Sequence, residues 1–130
     1  MPDDETEVRA AAERLVAAFG SGQLDDYFAC FADDATFVFY TTPQRIESVD
    51  AYRQLWDGWV REEGFRVTRC VSSAVRVQLL GDAAVMFHDV VTDVETRAGT
   101  ETLRERETIV FARQGDGSWR AVHEHLSPAP

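Results

Sequence analysis

The chain has 130 residues, 45% of them apolar, and a formal net charge of −10. That length suits one domain, since domains run to roughly 100–200 residues, and the apolar share is ordinary for a globular protein and too high for a disordered one. All 13 basic residues are arginine against 23 acidic ones, which argues against nucleic-acid binding, and no apolar run approaches the ~18–20 residues that span a membrane.

The first five residues, Met1-Pro2-Asp3-Asp4-Glu5, are acidic where a secretory leader would be cationic, so a cytoplasmic protein is expected. Cys30 and Cys70 form no CxxC or Cys/His metal spacing and read as small core residues, with a disulfide the alternative.

Thr6 or a nearby acid starts the first predicted helix. Val8, Ala11, Ala12, Leu15, Val16 and Phe19 recur at three- and four-residue spacing, which makes one apolar stripe. Gly20-Ser21-Gly22 stops it. A short second helix follows, capped by Asp25, with Tyr27, Phe28 and Phe31 inward. Asp33-Asp34 then break it, and Ala35 to Tyr40 is β-branched and aromatic enough for a strand. After a loop at Thr41-Thr42-Pro43-Gln44, a third helix begins near Ser48, carries Tyr52, Leu55, Trp56 and Trp59, and ends at Gly64.

From Phe65 onward the pattern is β. Strands are predicted at about 65–80, 83–97, 101–113 and 118–127, separated by Gly81-Asp82, Ala98-Gly99-Thr100 and Gly115-Asp116-Gly117. The last two make a long hairpin, since two glycines around an aspartate supply the positive φ angles of a tight turn. Three helices followed by a meander of long strands define an α+β fold, one domain over residues 1–130, with the helices covering one face of a curved antiparallel sheet.

The order of elements, with Phe31-Ala32-Asp33-Asp34-Ala35-Thr36-Phe37, resembles the nuclear transport factor 2-like superfamily, which includes SnoaL-like cyclases, ketosteroid isomerases and scytalone dehydratases. Gly81-Asp82-Ala83-Ala84, Glu107-Thr108, Asp116-Gly117-Ser118-Trp119 and Val122-His123-Glu124-His125 resemble the association (hub) domain of calcium/calmodulin-dependent protein kinase II and the bacterial SnoaL-like proteins akin to it. The resemblance implies a cone with a pocket at its open end, and a homodimer or larger ring formed through the outer sheet face. It also implies what is missing. The isomerase general base falls on Phe39 and its oxyanion tyrosine near Leu15. The hub's anion-holding arginines fall on Val90, Ile109 and Leu126.

Strand parity places His88, Glu105, Glu107 and Glu124 on the same face as Val90, Ile109 and Leu126. His88, Glu107 and Glu124 among apolar neighbours are the candidate acid/base groups, because burial raises a carboxyl pKa and a second carboxylate raises it further. Pairing of these acids with Arg69, Arg76, Arg104 or Arg106 is the alternative. Tyr27, Phe37, Phe39, Trp56 and Trp59, with Val90, Ile109 and Leu126, are the candidate lining for a small apolar ligand, and Tyr40 and Thr41 are polar handles at the rim. Trp119, His123 and His125 are predicted on the outer face, at a subunit interface; a metal site at the two histidines lacks further obvious ligands. No metal or other cofactor is expected, and no Ser/His/Asp or Cys/His nucleophile, phosphate-cradling glycine loop or dinucleotide fingerprint stands out. Two functions stay open: a small-molecule-binding and homo-oligomerisation module, or a cofactor-independent isomerase, cyclase or dehydratase acting on a polyketide- or steroid-like substrate.

Overall fold

The computed structural model describes residues 3–130. Helix α1 (Asp4–Gly20) is capped by Asp3, whose carboxylate accepts the Thr6 N–H at 2.8 Å. Asp4, Glu5 and Glu7 fill its first turn, where negative charge suits the helix dipole. Its stripe of Val8, Ala11, Ala12 and Leu15 is buried against the sheet. The helix ends where it touches β2 (Arg66–Leu80), because a Cβ on Gly20 would stand 2.9 Å from the Cys70 backbone nitrogen. Gly20→Ala is therefore expected to cost about 1–3 kcal/mol, as overpacked sites do. Urea unfolding checks this; an unchanged midpoint would mean that α1 can slide on β2 without loss.

Helix α2 (Leu24–Ala29) begins one residue before the expected cap. Gln23 precedes it without a side-chain bond, and Asp25 lies in the first turn. Strand β1 (Phe31–Phe39) starts earlier than predicted. Asp33 and Asp34 do not break the chain; both are exposed within the register shift between Phe31 and Thr36, where the strand bulges outward. Helix α3 (Val49–Glu63) is capped by Ser48, which accepts the Ala51 N–H at 3.0 Å, and closes on Gly64 with φ 67°.

β2, β3 (Ala83–Thr96), β4 (Gly99–Arg113) and β5 (Trp119–Pro128) run antiparallel to one another. The order is β1-β5-β4-β3-β2, and β1 joins the edge parallel to β5, so the five-stranded sheet is mixed. Its curved face wraps α1, α2 and α3 around an aromatic core. Phe37 and Tyr52 lie 4.6 Å apart between ring centroids, and Phe31, Phe39, Tyr27 and Trp56 close the cluster around them. Edge-to-face contacts of this kind add to the energy of burial.

One residue resets parity along β5. Val110 pairs with His123 but Phe111 pairs with Ala121, which leaves Val122 as an extra residue. Trp119 therefore lies on the helix side and not on the outer face where alternation places it. It is buried, its Nε1–H donates to Glu7 at 3.1 Å, and the Arg113 guanidinium sits 4.6 Å above its ring. His123 and His125 do face outward. The His123 Nδ1 is 2.8 Å from the Thr36 hydroxyl, and the two imidazoles are 6.3 Å apart. Among the described residues no His, Cys, Asp and Glu group gathers to hold a metal. No helix of the described residues is long and apolar enough to cross a membrane.

Candidate functional site

Register brings the candidate acids together. Opposite residues in an antiparallel pair share a face, so Glu107 stands between His88 on β3 and Leu126 on β5, and Glu105 stands opposite Val90. Glu124 lies opposite Ile109, one diagonal step from Glu107. All point toward the helices.

Between this face and α1 and α2 lies a cavity of about 40 Å³. Glu105, Glu107 and Glu124 form its polar wall, and Leu15, Val16 and Phe19 from α1 form much of its apolar wall. Tyr27, Val90 and Leu126 also border it, as do Cys70 and Thr92. Phe37, Phe39 and Trp56 do not, because their rings are spent on one another in the core, and Trp59 packs half-buried beside them against Phe65. Ile109 is wholly buried under the sheet and does not reach the cavity. Phe37 and Phe39 are thus closed off in the core, while Trp56 and Phe65 border a separate open groove with Leu24 and Val60.

The three acids are in different circumstances. Glu107 is bonded to His88: Nε2 is 2.9 Å from Oε1, and the Ser72 hydroxyl is 2.6 Å from Nδ1. A carboxylate only accepts, so Nε2 carries the proton, and with the ring neutral Ser72 donates to Nδ1. The Ser72–His88–Glu107 chain is a hydrogen-bonded relay of which the sequence suggested His88 and Glu107 but not Ser72, since its members come from three strands. Ser72 shares parity with Cys70, and that was the only available signal. Glu105 accepts from the Tyr40 hydroxyl at 2.6 Å. Burial pushes its carboxyl up, the Tyr40 bond pulls it back, and Glu107 adds a smaller upward push. Arg69, Arg76 and Arg104 pair with none of these acids, and Arg106 instead meets Asp89 at 3.8 Å.

Glu124 is the exception. It is 2% exposed, and its Oε1 has no hydrogen-bond partner. Burial first, and then the charge of Glu107, hold its carboxyl well above the usual carboxylate range. The Tyr27 and Tyr52 hydroxyls lie 3.0 Å apart in the same interior, and burial with the neighbouring Glu124 pushes both well above the ordinary phenol range. The Cys70 thiol, bordering the cavity, is pushed up to about 11, mainly by burial. Both cysteines are free thiols. The site can therefore hold a proton on Glu124, keep Glu107 as an acceptor fixed by His88, and present no nucleophile ready at neutral pH.

A curved mixed sheet folded over three helices, with an acid-lined cavity between them, defines a domain of the nuclear transport factor 2-like type. The match of residues 8–130 to the SnoaL-like domain model places the chain in the SnoaL-like family. Solved structures agree on the fold. A nuclear transport factor 2-like protein of unknown function in nutrient uptake from Rhodospirillum rubrum superposes with a TM-score of 0.81 at 25% identity, covering 98% of this chain and 100% of that one. A ketosteroid isomerase-like protein from Erwinia carotovora atroseptica gives 0.81 at 18% identity, with 100% of both chains covered. The hub of a calcium/calmodulin-dependent protein kinase II from S. rosetta gives 0.78 at 21%, covering 99% of this chain and 100% of the hub. No curated protein sequence matches the chain.

Proposed function

We propose that this protein is a small-molecule-binding module that self-associates, working where its thiols stay reduced, in the cytoplasm. The observation that carries the binding reading is the cavity itself, bordered by Glu124, whose buried Oε1 has no hydrogen-bond partner. Native interiors rarely leave such a group unsatisfied, and a water, an ion or a bound molecule supplies the missing partner. Tyr27, Val90 and Leu126 would contact the ligand beside the α1 residues. Self-association rests on the outer sheet face, where Phe87 is exposed in the same row as the exposed His125 and Val71 is exposed further along the sheet. Ladder register sets Arg76, Phe87, Thr108, His125 and Val38 in one row across the five strands, a strip with a single charged side chain at its β2 end that a second copy would cover.

A second reading is favoured by the Ser72–His88–Glu107 relay. A fixed acceptor beside a protonated Glu124 is an acid/base pair, which a cofactor-independent isomerase, cyclase or dehydratase would use. Native mass spectrometry of the purified protein, first gentle and then activating, tests both parts of the first reading. A dimer releasing a small adduct is expected; a bare monomer would overturn it. The recovered adduct then separates the readings. An enzyme would convert it and lose that conversion in His88→Ala and Glu107→Ala while staying folded, whereas a binder shows no conversion at all.

A further inference from the structure

We propose that the cavity takes the ammonium head of a small organic amine, held among Glu105, Glu107 and Glu124, with the hydrocarbon part against Leu15, Val16 and Phe19. This rests on the pocket reading above and adds the chemical class of the ligand.

The polar wall is made almost wholly of acceptors. Three carboxyl groups border the cavity and no basic side chain does. Few donors are available: the Thr92 hydroxyl bonds the Cys70 sulfur at 3.7 Å, His88 Nε2–H bonds Glu107, and the Tyr27 and Tyr52 hydroxyls share one bond, which leaves one proton between them. A carboxylate ligand would meet only like charge. A carbonyl ligand would find at most two donors, the proton on Glu124 and the one proton left over from the Tyr27–Tyr52 pair. An ammonium brings three donors and a positive charge, and so can bond the Glu124 carboxyl and offset the negative charge that Glu124 gains beside Glu107 when it releases its proton. The volume of about 40 Å³ suits a head group and not a ring system. Val16, Phe19 and Leu126 are half-buried, so a short alkyl chain can run out along them.

Binding is linked to a proton. The groups that face Glu124 are Glu105 and Glu107 on β4, Tyr27 on α2, Tyr52 on α3 and Cys70 on β2, with His88 behind Glu107; α1 offers only apolar side chains. The alkylammonium keeps its proton, and Glu124 gives its own to the buffer as it becomes the ammonium's counter-ion. Protonated Glu124 plus ammonium thus yields the ion pair plus one released proton.

Calorimetric titration of the intact protein with isobutylamine, isobutyl alcohol and isobutyrate, which share a carbon skeleton, tests this. Isobutylamine is expected to bind at least about tenfold more tightly than the alcohol, since a charged hydrogen bond is worth about 1.5–3 kcal/mol and 1.4 kcal/mol is tenfold. Its apparent heat should change with buffer ionisation enthalpy, and its affinity should rise with pH, because Glu124 must give up its proton to pair with the ammonium. Glu124→Gln should lose the amine preference and the proton release; the buffer dependence of the unmodified protein gives the same answer if that variant does not fold. Equal or tighter binding of the alcohol or of isobutyrate would overturn the amine inference and leave the pocket standing. Binding of none of the three would overturn the pocket reading and the inference with it.

Discussion

Glu124→Met is expected to make the protein more stable, by about 1–3 kcal/mol at neutral pH, the cost of leaving a buried polar group unpaired. Methionine fills nearly the same volume without a polar atom, so the core around Ile109 and Phe37, the register partners of Glu124, is left intact. The sharper signature is in the pH dependence. The folded-state pKa of Glu124 lies well above its ordinary 4.5. Above that ordinary value the native state holds a proton which the unfolded chain has already released. The Glu124 contribution to stability is therefore greatest at acid pH and falls as pH rises, by up to about 1.4 kcal/mol per unit, until the folded pKa is passed. Glu105 is shifted the same way, so it contributes in the same direction and keeps doing so in the variant. Urea midpoints measured across the acid-to-neutral range should fall more steeply in the parent than in Glu124→Met. Parallel curves would show that Glu124 is solvated in the native state.

The second large effect is at the centre of the aromatic core. Phe37 has no exposed surface and touches Phe31, Phe39 and Tyr52. Phe37→Ala is expected to lose about 3–5 kcal/mol, through lost burial and a cavity that the neighbouring rings cannot fill. Since single domains are stable by only about 5–15 kcal/mol, that loss threatens the fold itself. The position also carries the bridge to Ile46, whose N–H and carbonyl exchange backbone bonds with Phe37 at 2.9 and 2.8 Å. That bridge pins the loop leading to α3. A drop of less than 1 kcal/mol, on the order of an exposed-site substitution, would show that the helices rest elsewhere.

The opposite signs of these two changes separate what holds the fold from what the cavity is for. The aromatic cluster is closed by its own contacts and acts as structure. Glu124 is expected to weaken the fold where it stands, which on the proposed reading is the cost of keeping it for a ligand or a proton transfer.

Periodicity and punctuation were enough for the elements. The α1 stripe, Ser48 before α3, Gly64 after it and the Gly115-Asp116-Gly117 turn each act through neighbours a few residues away, so the sequence by itself determined three helices, four long strands and the α+β class. Alternation also put Val90, Glu105, Glu107, Glu124 and Leu126 on one face, because a pleat has a period of two wherever it is unbroken. It failed at Trp119, where one extra residue at Val122 turns the strand over, and it missed the early start of β1, where Asp33 and Asp34 bulge outward instead of ending the element. It could not separate rings that fill a core from rings that line a cavity, as Phe37 and Tyr27 look alike in one dimension. Only the tertiary structure decided that β1 runs parallel beside β5, that Ser72, His88 and Glu107 form a relay, and that Glu124 is left without a partner. Those facts depend on strand register and on packing between segments far apart in the chain, and the physics of neighbouring residues does not reach that far.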